Sequence, residues 1–274
     1  MKKERIDILL VEKGLISGRD RAKRMIMAGE VWADGKRVEK PSQVFPEDIA
    51  LEIKGDECPY VSRGGKKLEK AISCFGVAID GKICMDVGAS TGGFTDCMLQ
   101  NGAKMVYSVD VGYGQLDWKL RNDSRVVVLE RTNARYLNRE LIPQEVQLAS
   151  IDVSFISLKL IFPAVKEVLA ADGQVVALIK PQFEAGRDKV GKKGVVRDPK
   201  VQEQVIQDVL QYGREAGLFC KGLTFSPIKG PCGNIEYLCW LVGKEEAREI
   251  LPEISDLVEQ AHNQLDAPVI AREN

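Results

Sequence analysis

Two aspartates stand where a loop leaves an apolar run: Asp86 follows Ile83-Cys84-Met85, and Asp110 follows residues 105–109. After Asp86, the residues Gly88, Ala89, Ser90, Thr91, Gly92 and Gly93 make a loop of small side chains, and Phe94 opens a stretch that reads as a helix. Strand, glycine-rich turn and helix is the geometry that lets backbone N–H groups approach a ligand at a helix N-terminus. The glycine spacing departs from the strict dinucleotide pattern G-x-G-x-x-G. An acid at the first strand end suits a ligand that brings positive charge or hydroxyls rather than a pyrophosphate. Asp110 lies about 20 residues on, where a carboxylate meets ribose hydroxyls. The loop alone is equally an ordinary βα turn. With Asp110, the pair implies an S-adenosylmethionine pocket.

Other polar residues fall at expected strand ends, where open α/β sheets hold ligands. The segment Gly112-Tyr113-Gly114-Gln115 is placed to close over an adenosine, Gln115 included, and Asn133 can hydrogen-bond an adenine edge. Asp152 ends a fourth strand and serves the pocket as well. Lys180 ends a fifth strand after Val175-Val176-Ala177-Leu178-Ile179, and Glu236 lies among Ile235, Tyr237 and Leu238. A charge inside an apolar strand is costly unless paired. Lys180 and Glu236 are therefore either rim charges or a structural ion pair, or part of a site of two acids and one or two lysines beside a methyl donor. Both strands are expected at the cofactor edge, which favours the second reading. That chemistry requires no metal.

The elements that must position these residues alternate strand and helix from Ile83, the signature of a doubly wound parallel sheet. Strands are expected at 83–87, 105–109, 126–129, 148–153 and 174–179, and helices at 92–101, 115–121, 135–141, 157–170 and 199–216. Residues 219–226 and 235–242 read as a hairpin, one strand of which runs antiparallel to the rest. Residues 244–266 read as a closing helix and 267–274 as a loose tail. The fold class is α/β: a Rossmann-like methyltransferase sheet, mostly parallel, preceded by a small α+β domain. The polar, turn-rich 54–60 sets the boundary, giving domains 1–58 and 59–274, with 59–66 as linker and lead-in to a helix at 68–75.

In the first domain, Ile6, Leu9, Leu10 and Leu15 have helical spacing, and Ser17 is a plausible N-cap for a second helix. Strands are expected around a turn at Asp34-Gly35 and at 49–53, with Pro41 and Pro46 in a loop. The second helix carries Arg19, Arg21, Lys23 and Arg24; Arg5, Lys36 and Arg37 add to them. These side chains suit phosphates, although a basic helix face can also be merely solvated. Residues 1–40 hold 11 Lys and Arg against 7 Asp and Glu, on a chain of net charge −1. A basic head on a mildly acidic body points to a polyanion partner. Seven scattered cysteines without C-x-x-C, no signal-type N-terminus and no apolar run of spanning length fit a cytoplasmic protein without disulfides, metal site or membrane anchor. The lone His262 reads as a solvated residue. Nothing indicates an oligomer, so a monomer is the default.

The N-terminal pattern R-I-D-x-L-L-V-E-K-G-L … S-G-R-D-R-A-K-R-M-I-x-A-G-x-V-W-A-D-G-K-R-V resembles the small RNA-binding domain of a ribosomal small-subunit protein and of pseudouridine synthases. The motifs S-R-G-G-K-K-L, D-V-G-A-S-T-G-G-F-T, D-V-G-Y-G-Q-L, R-T-N-A-R, D-V-S-F-I-S-L, K-P-Q-F-E and G-N-I-E-Y, in this order, resemble the TlyA family nearly end to end. That family comprises ribosomal RNA 2′-O-methyltransferases with an FtsJ-like catalytic domain, acting on cytidine and often labelled hemolysins. The resemblance implies a Lys-Asp-Lys-Glu catalytic set, which falls on Lys67, Asp152, Lys180 and Glu236, with neighbouring Lys66 an alternative to Lys67.

Those residue types suit the reaction. A ribose 2′-hydroxyl must lose its proton as it attacks a sulfonium methyl. Lys180 in its neutral form can take that proton, Lys67 can stabilise the developing alkoxide, and Asp152 and Glu236 can orient the lysines. Arg187, Lys189, Lys192 and Lys193 lie in a glycine-rich loop after the Lys180 strand, either a substrate clamp or a plain surface loop. Arg63 and Lys66 are further candidates for phosphates. The competing readings are a non-catalytic RNA-binding or ribosome-assembly protein and a membrane-active hemolysin; no strongly amphipathic basic stretch supports the latter.

Overall fold

The computed structural model describes residues 3–16, 18–53, 58–244 and 252–266, without the side chains at 20, 21, 24 and 28. The expected cap Ser17, the side chains of Arg21 and Arg24, and the tail 267–274 therefore lie outside the described residues. The chain divides into two compact units, Met1–Cys58 and Pro59–Asn274.

The first unit runs β1 (Lys3–Arg5), α1 (Ile6–Glu12), α2 (Arg19–Ala28), β2 (Val31–Ala33), β3 (Lys36–Arg37), β4 (Val44–Pro46) and β5 (Leu51–Ile53). Strand β2 is the centre of an antiparallel sheet with β3 and β5, and β1 pairs separately with β4. This pairing corrects the reading of the segment around Pro41 and Pro46 as loop, since Val44–Pro46 form β4. Three charged residues carry no strand alternation, so only a distant partner reveals β1. Ile6, Leu10, Ile16, Ala22, Ile26, Val31, Ala33 and Val38 form the core. Asp7 is fully buried beside it and accepts bonds from Arg5 at 3.0 Å and Arg19 at 3.1 Å. Burial opposes its charge, but the two guanidinium bonds outweigh it and hold the carboxyl below the usual range.

The second unit runs α3 (Gly65–Phe75), β6 (Ile83–Val87), α4 (Gly93–Gln100), β7 (Met105–Val109), α5 (Trp118–Arg121), β8 (Val126–Leu129), β9 (Val146–Ile151), α6 (Phe162–Val168), β10 (Leu169–Ile179), α7 (Pro181–Glu184), α8 (Pro199–Glu215), β11 (Phe219–Phe225), β12 (Tyr237–Val242) and α9 (Ile254–Leu265). Its seven-stranded sheet has the order β11-β12-β10-β9-β6-β7-β8. Strands β10, β9, β6, β7 and β8 are parallel, and β12 runs antiparallel between β10 and β11. One apolar core includes Phe162, Val165, Val205 and Leu257 with the strand residues beneath them, and another includes Leu68, Phe94, Met98 and Leu120.

Three helices are shorter than their apolar patterns predict. The region 135–141 keeps only a 3-10 turn at Ala134–Tyr136, because Asn138 Oδ1 accepts the N–H groups of Glu140 and Leu141 and forms a turn instead. The helix expected over 157–170 becomes a 3-10 turn at Leu158–Leu160 followed by α6, and the buried Leu169 and Ala170 already belong to β10. A short apolar run suits a buried strand as well as a helix. Helix α5 begins at Trp118 rather than at 115, with Asp117 as its cap.

The chain lays down β6, moves outward to β7 and β8, then returns to the other side of β6 with β9. The crevice at such a reversal, at the carboxyl ends of the strands, is where open α/β sheets bind ligands. Gly88 and Asp152 face one another there. Gly88 has φ +87, and a Cβ on it would sit 2.5 Å from the Asp152 carbonyl oxygen. Helices α3 and α4 meet at their N-terminal glycines: a Cβ on Gly93 would lie 2.8 Å from the Gly65 nitrogen and press on Ser62 Oγ.

Asp86 ties β6 to α4. Its Oδ2 accepts from the Thr95 N–H at 2.8 Å and the Thr95 hydroxyl at 2.7 Å, and Ser150 Oγ donates to Oδ1 at 3.4 Å. Burial raises its pKa to about 7, the Thr95 bonds opposing and the Asp152 charge assisting the rise.

Two outcomes follow. Gly93→Ala should destabilise the second unit by about 1–3 kcal/mol, as overpacking against backbone does, with a matching drop in the urea midpoint. Because the folded chain holds the Asp86 proton more tightly than the unfolded chain, this group's contribution is intact below about pH 4 and declines as pH rises toward 7, by about 1.4 kcal/mol per unit at most. Unfolding free energies measured from pH 5 to 8 should therefore fall more steeply in the wild type than in Asp86→Asn; parallel profiles would contradict it.

Candidate active site

Four charged side chains from four separate segments converge at the switch point. Lys67, on the first turn of α3, donates to Glu236 Oε2 at 2.7 Å and stands 3.8 Å from Asp152 Oδ2. Lys180, at the end of β10, lies 2.5 Å from Asp152 Oδ1 and donates to Ser154 Oγ at 3.1 Å. Lys67, Lys180 and Glu236 are buried, and Asp152 keeps a fifth of its side chain open. The charges alternate, so each lysine faces a carboxylate and the cluster is formally neutral. Lys67, not the half-buried Lys66, enters the cluster.

The sheet register explains the convergence. The pair Ile179–Tyr237 is the last rung between β10 and β12, so Lys180 leaves the sheet where Glu236 enters it. Pro181 starts α7 directly after Lys180, and Glu184 on that helix accepts from Ser157 Oγ at 2.6 Å and the Leu158 N–H at 2.8 Å. The segment after β9 is thereby tied to the segment after β10. Burial raises the Glu184 pKa against these two bonds.

The cluster borders a cavity of about 560 Å³ that also reaches Asp86, Ala89, Thr91, Gly93 and Phe94. A second cavity of about 340 Å³ is bounded by Asp110, Gln115 and Asn133, with Val111, Val153, Ile156 and Ile161 as its apolar sides. Gly88, Ser90, Asp152, Ser154 and Phe155 border both. The Asp110 carboxylate accepts the N–H groups of Ser90 and Gly112, each at 2.7 Å. A carboxylate has about four acceptor positions, so two remain for ligand hydroxyls. Asn133 uses its carbonyl oxygen to cap Arg135 N–H, and its NH₂ has no hydrogen-bond partner among the described residues. Asp86, in contrast, spends its oxygens on Thr95 and Ser150, and acts on the pocket by fixing the loop.

Several residues at this site drew no attention as sequence. Ser154 bonds Lys180. Gln182 donates to Glu236 Oε1 at 3.3 Å, and its own Oε1 is buried without a partner among the described residues. Asn234, buried, accepts from the Val196 N–H and donates to the Gly194 carbonyl, fastening the basic loop's end beside the cavity. Phe155 is 91% exposed at φ +63, its ring 4.9 Å from that of Phe183. All lie within D-V-S-F-I-S-L, K-P-Q-F-E or G-N-I-E-Y, where only the charges had stood out.

The basic residues lie outside the cluster. Arg187, Lys189, Lys192, Lys193 and Arg63 are exposed. In the first unit Lys36 and Arg37 are exposed, Lys23 is half-buried, and Arg5 and Arg19 hold Asp7. Tyr113 points outward, 69% exposed, rather than closing a cavity. His262 is not simply solvated: its Nδ1 meets Asp266 and its Nε2 meets Gln202 Oε1, both at 2.9 Å. Among the described residues no group of three or more His, Cys, Asp and Glu is placed to hold a metal, and no helix is long and apolar enough to cross a membrane.

Comparison with known proteins matches residues 60–242 to the family of FtsJ-like methyltransferases and residues 4–47 to the S4 domain. The chain is 53% identical to a Bacillus subtilis (strain 168) protein named "Putative rRNA methyltransferase YqxC", over 96% of each chain. It is 46% identical to the 16S/23S rRNA (cytidine-2'-O)-methyltransferase TlyA of Mycobacterium tuberculosis (strain H37Rv), over 88% of this chain and 90% of that one. A solved structure described as "Putative hemolysin from Streptococcus thermophilus" superposes with a TM-score of 0.78 at 48% identity, covering 97% of this chain and 98% of that one. The chain therefore belongs to the FtsJ-like methyltransferases, in their TlyA-like branch, with an S4 domain ahead of the methyltransferase fold.

Proposed function

We propose that this chain is an S-adenosylmethionine-dependent methyltransferase that modifies the 2′-hydroxyl of a cytidine ribose in ribosomal RNA. The observation that carries the reading is the buried alternation of Lys67, Glu236, Asp152 and Lys180 against a cavity that shares its lining at Gly88, Ser90, Asp152, Ser154 and Phe155 with the Asp110 pocket. The similarity to the tuberculosis protein, named for this reaction, supports the choice of hydroxyl and base.

The donor set fits the cofactor. Asp110 has acceptor positions to spare for ribose hydroxyls, Asn133 has an amide for the adenine edge, and Val111, Val153 and Ile156 supply apolar walls. S-adenosylmethionine held there supplies a methyl group on a positively charged sulfur. Phe155, exposed where the two cavities meet, offers a face for the target base. The unpaired Gln182 oxygen offers an acceptor for a substrate hydroxyl beside Lys67 and Glu236.

Lys180, after releasing its own proton to solvent, takes the 2′-hydroxyl proton as a neutral amine, with Asp152 and Ser154 fixing it at the sheet edge. Lys67, held by Glu236, presents an ammonium to the oxygen as negative charge develops. The role of the cluster is orientation within a site from which much water is excluded. The exposed basic side chains at 187–193, and those of the S4 domain, bind the RNA backbone.

The decisive test is transfer of labelled methyl to ribosomal subunits that lack the modification, with the product mapped by nucleotide. Lys180→Ala should lower the rate about 10²–10⁴-fold, the range for a lost general base. Lys180→Arg should fail equally, since a guanidinium stays protonated and cannot accept the hydroxyl proton. Retained activity in the arginine variant would overturn the base assignment, and absence of transfer by the wild type would overturn the function.

A further inference from the structure

Loops 111–117 and 130–136, beyond the ends of β7 and β8, carry an unusual surface. Val111 is 69% exposed, Tyr113 69%, Trp118 75% and Tyr136 65%. Val111, Tyr113 and Tyr136 lie on the loops that follow the neighbouring strands β7 and β8, with Trp118 at the start of α5, and exposed apolar side chains gathered on adjoining loops mark an interaction surface rather than scattered surface apolarity. Two arginines accompany them. The Arg131 guanidinium lies 4.3 Å from the Tyr113 ring centre, and that of Arg135 lies 5.4 Å from the Tyr136 ring. Neither arginine forms an ion pair among the described residues. The nearby Arg121 is paired with Glu130 at 2.5 Å, whereas Arg131 and Arg135 lie against tyrosine rings.

The backbone holds this arrangement at a cost. Arg131 has φ +53, a conformation an L-residue adopts only with strain of about 1–2 kcal/mol. The flanking bonds are firm: Arg131 N–H donates to the Gly112 carbonyl at 3.0 Å and Thr132 N–H to the Asp110 carbonyl at 2.9 Å. The two loops are thus fastened together with Arg131 laid over Tyr113. Strain held in place by surrounding bonds is a reason to look for function. No part of the charged cluster uses this residue.

We propose that this face binds single-stranded RNA next to the target nucleotide, with bases stacking on Tyr113 and Tyr136 and phosphates meeting Arg131 and Arg135. The proposal rests on the reading of the chain as an RNA methyltransferase and names how it holds unpaired RNA. The chemistry selects this occupant. An acidic peptide would satisfy the arginines and leave the ring faces unused. A rigid duplex would satisfy the arginines but offers no unstacked bases. A single strand has both a charged backbone and a π-face on every nucleotide, and arginine and tyrosine already paired form a rigid platform for it. The surface lies alongside the mouth of the Asp110 pocket, since Val111 and Asn133 border that cavity.

The test is fluorescence anisotropy with the full chain, using labelled oligo(A) as single strand and an oligo(A)·oligo(U) duplex of equal length. Arg131→Ala/Arg135→Ala and Tyr113→Ser/Tyr136→Ser should each weaken single-strand binding about tenfold and leave duplex binding nearly unchanged. Arg131→Lys/Arg135→Lys should retain the salt dependence but recover little of the affinity, because lysine keeps the charge and loses the stacked plane. Unfolding midpoints and S-adenosylmethionine affinity should match the wild type, all four side chains being exposed. Wild-type affinity in the tyrosine pair would overturn the proposal. So would equal loss of strand and duplex in the arginine pair, which would mean charge alone. A wild-type dimer that the arginine pair dissociates without change in RNA binding would overturn it in favour of a second copy. The readout needs no catalysis, so failed methyl transfer would remove the active-site reading without deciding this one.

Discussion

Four buried charges set the terms for the rest of the second unit. Taking an ion out of water costs several kcal/mol even after relaxation, and only close pairing offsets it. Lys67, Glu236, Asp152 and Lys180 meet that condition because each lysine has a carboxylate within 2.7 Å. The arrangement tolerates little displacement. If α3 withdrew, Glu236 would be left buried and unpaired. If β12 slipped by one residue against β10, Glu236 would turn to the other face of the sheet. Losing one partner of a buried pair typically costs about 3–5 kcal/mol, a large share of a domain's whole stability. Glycine packing between α3 and α4, the Gly88–Asp152 approach and the Glu184 clasp all serve to keep these four atoms in register.

The antiparallel strand is what makes the cluster possible. In a wholly parallel sheet every strand begins at the edge remote from the site, so a residue that precedes a strand cannot reach it. Strand β12 runs the other way, and Glu236 therefore arrives at the edge that carries the cluster just before its strand begins, opposite Lys180 just after its own ends. The same reversal brings Asn234 to the cavity, where it secures the end of the basic loop. One topological feature thus supplies both an acid for the cluster and an anchor for the segment most exposed to substrate.

Much of this was legible in the residues. The glycine loop and Asp110 locate a pocket because few other patterns put small residues and an acid at successive strand ends. Lys180 and Glu236 stand out because charges rarely follow such apolar runs. Lys67 did not stand out in that way: it is one of two adjacent lysines, and only the resemblance, then its burial on the first turn of α3, distinguishes it. Ser154, Gln182 and Asn234 escaped notice because neutral polar residues are common in loops, and their importance lies in partners 26, 54 and 38 residues away. Strand β1 escaped for the same reason, its evidence being a pairing with residues about forty positions on. Local pattern reports local structure; a hydrogen bond across the fold leaves no periodicity behind it.

Charge distribution reconciles a nearly neutral chain with a polyanionic substrate. The net charge is −1, so the protein as a whole offers no attraction to RNA. At the buried cluster the four formal charges cancel, so the cluster itself draws in no counterion. The unpaired positive charge sits instead on exposed segments around that neutral centre: the loop at 187–193 after β10, and Arg131 and Arg135 after β8. Exposed charges act over roughly a Debye length, about 8 Å at physiological salt, and so act on the backbone of a strand once it is close. On the proposed reaction, phosphates fall to exposed cations and the target ribose to a buried cluster, two tasks with opposed requirements. Affinity wants accessible positive charge, and the proposed methyl transfer wants side chains held by buried partners whose geometry the RNA cannot disturb.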